Sequence, residues 1–185
     1  MSKLILDLCG GTGSWSRPYK EAGYDVINVT IPAYDVRTFE PPKQVYGVLA
    51  APPCTDFSVS GAQYWKEKDK DGRTIDSMSI VMACLLIIAK CKPQFWALEN
   101  PVGRLVGMMG KYRMTFNPCD YGDAYTKKTC LWGVFNEPIK HPVEPIRVSS
   151  QGSWIQRLGG KSEKTKELRS ITPRGFADAF FQANR

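Results

Sequence analysis

With 185 residues, 43% of them apolar and 23% charged, the chain has the composition of a soluble globular domain large enough for a real core. Its net charge of +7 points to a polyanionic partner. The longest apolar run, Ile80 to Ala89, is too short to span a bilayer. Met1-Ser2-Lys3-Leu4-Ile5-Leu6-Asp7 reads as a strand start rather than a signal peptide, with a short apolar run and an early acid. The six cysteines form no Cys-x-x-Cys pair and His141 is the only histidine, which speaks for no metal site and for a reduced, cytoplasmic setting.

Lys3 to Asp7 predicts a buried strand that feeds Leu8-Cys9-Gly10-Gly11-Thr12-Gly13-Ser14. Three close-set glycines let the backbone turn tightly and approach a ligand. The pattern is neither the G-x-G-x-x-G fingerprint nor a P-loop, and Gly159-Gly160-Lys161-Ser162 also fails as a P-loop because Ile155 stands at the first glycine. Ser14 is expected to cap a helix over residues 15–22. Asp25 to Ile31 predicts a second strand, with Thr30 or Asn28 placed to meet a ribose and Asp35-Val36 in the loop beyond.

A third buried strand, Val45 to Leu49, runs into Ala50-Ala51-Pro52-Pro53-Cys54-Thr55-Asp56-Phe57-Ser58. The two prolines stop the strand and make a rigid corner, so Cys54 is held at a strand's carboxyl end, where open α/β sheets place their ligands. In polar, open surroundings its thiol could ionise and act as a nucleophile. Gln63 to Thr74 carries a near-neutral mixture of charges and reads as a mobile solvated loop, or a lid. Ile75 to Lys90 predicts an apolar helix with Met78, Met82 and Cys84 as core filler. Gln94 to Leu98 is a further buried strand ending at Glu99-Asn100-Pro101, and a carboxylate there needs a partner or a function. Arg113–Phe116 and Lys128–Trp132 flank a hairpin-like crossover, and Pro173 to Asn184 predicts an amphipathic closing helix. Between them, Val134 to Ser170 has little periodicity and reads as surface loop; from Lys140 to Arg174, eight Lys/Arg face three Glu, so most of the net charge lies there.

Asp7-Leu8-Cys9-Gly10-Gly11-Thr12-Gly13, Pro52-Pro53-Cys54-Thr55-Asp56-Phe57-Ser58, Glu99-Asn100-Pro101 and Lys127-Lys128-Thr129-Cys130-Leu131-Trp132-Gly133 occur in that order. They resemble the successive motifs of the cytosine-C5 DNA methyltransferases: the glycine turn, the catalytic Pro-Cys loop, the Glu-Asn-Val triplet and the Gln-Arg-Arg-x-Arg region. Departures are Pro101 in place of Val, lysines in place of arginines, and a missing Gln. The last family motif is represented by Ser170-Ile171-Thr172-Pro173. About 35 residues stand where the family carries a large target recognition domain, so the resemblance is to a compact, phage-like member.

That resemblance implies a Rossmann-like α/β methyltransferase fold: a mostly parallel sheet with helices on both faces and a terminal antiparallel hairpin. Residues 1–185 are then one catalytic domain, with a short basic insertion at about 134–170. S-adenosylmethionine is the implied cofactor, held by Asp7, Leu8, Cys9, Gly10, Gly11, Gly13, Thr30, Asp35, Val36 and Pro52. Cys54, Glu99, Asn100 and Lys128 are the implied catalytic residues, acting on a cytosine flipped from duplex DNA. The expected protein is a monomer in bacterial or phage-infected cytoplasm, away from membranes. A tRNA cytosine methyltransferase would use the same residues. A methyltransferase-like binding module and a small-molecule methyltransferase complete the alternatives.

Overall fold

Alternate residues of the central strands enter two separate apolar layers, and that alternation organises the molecule. In the computed structural model, which describes residues 2–150, 152–158 and 162–185, the first strand is β1 (Leu4–Leu8). Its Leu6 and Leu8 join a layer with Val48, Ala50, Leu98 and Val81, while Ile5 joins Leu49, Phe95, Ala97, Trp15 and Phe176 on the opposite face. A strand buried on both faces belongs to a parallel sheet covered by helices.

The chain continues through α1 (Arg17–Glu21), β2 (Asp25–Val29), β3 (Gly47–Ala50), α2 (Trp65–Lys70), α3 (Arg73–Cys91) and β4 (Phe95–Pro101). It then forms α4 (Leu105–Met109), β5 (Met114–Phe116), β6 (Thr129–Val134), α5 (Trp154–Arg157), α6 (Glu163–Ser170) and α7 (Arg174–Ala183). The sheet order is β2-β1-β3-β4-β6-β5. β2, β1, β3 and β4 are parallel, and β6 is antiparallel to both β4 and β5. The α3 side chains Val81, Cys84, Ile87 and Ile88 cover one face. Tyr19 of α1 and Phe176 and Phe180 of α7 cover the other, where Phe176 stacks on Phe116 at 3.8 Å between ring centroids. Strand order reverses between β1 and β3, so the crevice at their carboxyl ends is the place for a ligand.

Several expectations change. Gln63 to Thr74 is not a solvated loop: it holds the end of a 3-10 turn (Val59–Tyr64), α2 and the start of α3, with Lys68 only 6% exposed. Of its mixed charges, Lys68 pairs with Asp56 and Asp69 with Arg104 from other segments, and Glu67 and Asp71 pair with Arg73 within it. The first helix starts at Arg17, and Ser14 does not cap it; Ser14 Oγ accepts the Thr172 amide at 2.9 Å. Met82 faces solvent at 49% exposure rather than filling the core. α3 extends past the apolar run at both ends, and its 19 residues are long and apolar enough by length and composition to cross a membrane. In this fold it lies along the sheet. The basic region beyond β6 is more ordered than a loop. His141, Val143 and Ile146 donate backbone hydrogen bonds to Asp120, Cys119 and Ala124, and α5 and α6 follow. Gly159, Gly160 and Lys161 lie outside the described residues.

Candidate active site

The glycine turn is built on Asp7. This carboxylate is fully buried, and Ser16 Oγ donates to its Oδ2 at 2.5 Å. Asn28, in register with Asp7 on β2, donates from Nδ2 to the Gly11 carbonyl at 2.9 Å. A Cβ on Gly10 would collide with the Asp7 carboxylate and Asn28 Oδ1, so only glycine fits. Gly11, in contrast, has a φ of +53°, and a Cβ there would meet no atom within 4 Å, so its backbone faces open space. Asp7 and Leu8 are both fully buried and support the turn from below. Burial raises the Asp7 carboxyl to about 6, against the opposing pull of the Ser16 hydrogen bond.

The loop after β3 is tied down on every side. Ala51 N donates to Leu8 O, and Cys54 O accepts the amides of Phe57 and Ser58 at 3.0 and 2.9 Å. Fully buried Asn100 donates from Nδ2 to Pro52 O at 3.0 Å, linking the ends of β3 and β4. Lys68 Nζ reaches both Thr55 O at 2.7 Å and Asp56 Oδ1 at 2.8 Å. Ser77 Oγ donates to Asp56 Oδ2, and Arg104 Nε donates to Asp56 O at 2.8 Å. Arg104 also pairs with Asp69 and lies over the Trp65 ring. Burial alone would raise the Asp56 carboxyl, but Lys68 and Ser77 hold it below its ordinary value. The loop is thereby fastened around Cys54, while the residue itself stays exposed.

Glu99 projects from β4 into a small cavity shared with Phe116, Lys127, Thr129, Ser170, Thr172 and Pro173. Burial raises its carboxyl, and Lys127 pulls the other way. The Cys54 residue is exposed as a whole, yet burial around the sulfur raises its thiol, Glu99 adds to this, and Lys127 and Arg169 oppose it. Cys54 and Glu99 thus stand at the ends of the neighbouring strands β3 and β4. The structure places Lys127, not Lys128, in the Glu99 cavity; Lys128 is exposed and acts on Cys130. Strand alternation carries the reason: two residues before Thr129, Lys127 shares its side of the strand, and Lys128 takes the other. Thr30 follows β2 directly, and Val36 is buried against the α3 layer. Asp35 is paired with Arg37, whose hydrogen bonds hold its carboxyl down at about 2. Sequence reasoning misses Lys68, Arg104 and Arg169. Nothing in the pattern separates Lys68 from its charged neighbours, since its burial depends on Asp56 arriving from another loop.

An open sheet with a glycine turn, a Pro-Cys loop and a carboxylate at successive strand ends defines a Rossmann-like methyltransferase fold. The chain belongs to the C-5 cytosine-specific DNA methylase family, which matches residues 16–117. It is 26% identical over 162 residues to the Type II methyltransferase M.DdeI of Desulfomicrobium norvegicum, covering 64% of this chain and 37% of that protein. Among solved structures, it resembles a putative DNA modification methyltransferase encoded within an E. coli prophage, with a TM-score of 0.50 at 17% identity. That match covers 88% of this chain and 56% of the other. The Entamoeba histolytica methyltransferase EhMeth gives the same TM-score at 11% identity, covering 88% of this chain and 61% of that one. This chain thus spans less than two thirds of the length of these relatives.

Proposed function

We propose that this chain methylates cytosine at C5 in DNA, with S-adenosylmethionine as methyl donor and Cys54 as nucleophile. The observation that carries the reading is that Cys54 and a half-buried Glu99 stand at the carboxyl ends of the adjacent strands β3 and β4, which Asn100 ties together through Pro52 O. The open backbone at Gly11, beside Thr12, Gly13 and Thr172, fits a ligand approaching the turn, and the donor bound there supplies the methyl group.

Cytosine C5 is a weak nucleophile until a group adds at C6. The thiolate of Cys54 forms an Sγ–C6 bond, and the C5–C6 electron pair moves toward C5. Glu99, whose carboxyl burial raises, holds N3 and the exocyclic amine and stabilises the charge arriving on the ring. After C5 has gained the methyl group, loss of its proton restores the double bond and the Sγ–C6 bond breaks, returning the thiolate. C6 and C5 are inaccessible in a stacked duplex, so the base must leave the stack. The basic segment at about 134–170 stands in place of a recognition domain and contacts phosphates.

The test is covalent trapping on an oligonucleotide containing 5-fluorocytosine, because fluorine at C5 cannot depart as a proton does. An adduct that requires S-adenosylmethionine and disappears in Cys54→Ser is expected. Glu99→Gln should slow methylation of ordinary DNA by about 10². An adduct formed equally by Cys54→Ser rejects the mechanism, and transfer to tRNA or free nucleotide but not DNA rejects the substrate.

A further inference from the structure

The outer face of α3 is apolar, although a helix that covers a sheet ordinarily turns polar residues to water. Ser77 to Ala89 contains no charged residue, and only a third of the apolar stretch is buried. Val81, Cys84 and Ile88 face the sheet, while Ile75, Met82 and Leu86 stand on the opposite side at 71%, 49% and 59% exposure. Exposed Ser79 and Ala89 complete that side. The positions 75, 79, 82, 86 and 89 alternate steps of four and three residues, which lines them up as one seam along the helix.

Charge returns only towards the two ends of this seam. Asp76 lies at its start and Lys90 at its end, both exposed, and helical geometry puts them on the same flank, about 40° apart around the axis. Asp76 forms no ion pair among the described residues. Lys90 reaches Glu40 at 3.4 Å across an exposed gap and keeps donors for a second acid. In two antiparallel helices related by a two-fold axis beside Met82, side chains on one flank meet the same flank of the other copy. That register sets Ile75 beside Ala89, small Ser79 beside large Leu86, and Met82 beside its own equivalent. It also sets each Asp76 against the other copy's Lys90, whereas parallel pairing would set Asp76 on Asp76 and Lys90 on Lys90.

We propose that α3 is the interface of an antiparallel, two-fold homodimer of this chain. The proposal stands against the monomer expected from the family resemblance, and it does not depend on the cytosine chemistry. A seam this narrow is a small interface, so the dissociation constant is on the order of 10 µM. The exposed ion pairs add little affinity and fix the direction of pairing.

The test is sedimentation equilibrium of the chain from about 1 to 300 µM, with circular dichroism confirming the fold of each variant. The parent is expected to pass from monomer to dimer over that range. Met82→Glu, which brings two carboxylates together at the axis, should stay monomeric throughout. Asp76→Lys should weaken pairing by about tenfold, and Asp76→Lys/Lys90→Asp should recover the parent constant because each pair is again opposite in sign. A parent that is monomeric at every concentration overturns the proposal. In that case, binding to phosphatidylcholine–phosphatidylglycerol vesicles that is lost in Met82→Glu would assign the face to a bilayer instead. A dimer that survives Met82→Glu overturns it as well, since its interface lies elsewhere. A double variant that pairs no better than Asp76→Lys rejects the antiparallel register.

Discussion

Asp7 shows how burial sets the behaviour of a single carboxylate. It stands in the motif whose resemblance implies cofactor binding, and it is fully buried, bonded to Ser16 and crowded against Gly10. Its folded pKa of about 6 lies above the ordinary 3.8, so the folded chain binds the extra proton between those values. Stability from this group is therefore complete below about pH 4 and is lost as pH rises through about 6. The gap is worth on the order of 3 kcal/mol. Urea unfolding at a series of pH values should show the parent losing about that much relative to Asp7→Asn, whose amide does not titrate. Parallel profiles for the two proteins would mean that Asp7 is not desolvated as the structure has it.

At the scale of elements, α2 and the start of α3 serve the Pro-Cys loop. Lys68 of α2 and Asp56 of the loop form an ion pair with side chains only 8% and 13% exposed, and Ser77 of α3 completes the carboxylate's bonding. Removing one partner of a buried pair leaves the other charge without compensation, which costs about 3 kcal/mol or more. Lys68→Ala should lower stability by that order in denaturant titration and loosen the loop that carries Cys54. The double variant Lys68→Met/Asp56→Leu should recover much of the loss, because neither charge remains buried. A single variant as stable as the parent would show that this ion pair is not formed in solution. Composition suggests a solvated loop for these residues because alternating charges look the same whether water or a neighbouring loop receives them.

Across the whole molecule, positive charge is gathered in the segment between β6 and α7, carried by Arg147, Arg157, Lys164 and Arg169 among others. If about four phosphates are neutralised, log K for duplex DNA should fall with log salt at a slope of about −4. Replacing Arg147, Arg157 and Lys164 with glutamine should flatten that slope by roughly one per lost contact, measured by fluorescence anisotropy. An unchanged slope would move the nucleic-acid surface elsewhere on the fold.

The sequence alone determined the elements whose signals are local. β1, β3 and β4 are legible as short apolar runs ended by glycine, proline or a carboxylate, and the order of Gly10-Gly11, Cys54 and Glu99 along the chain places them at successive strand ends. The hairpin of β5 and β6 is legible for the same reason. Only the tertiary structure decided what depends on pairs distant in the chain. It bonded Asp7 to Ser16, buried Lys68 against Asp56, placed Lys127 rather than Lys128 beside Glu99, and set α6 against the cavity. A side chain's pKa, burial and partners come from whatever element packs against it, and one-dimensional periodicity carries that information only where the partner lies within a turn or along the same strand.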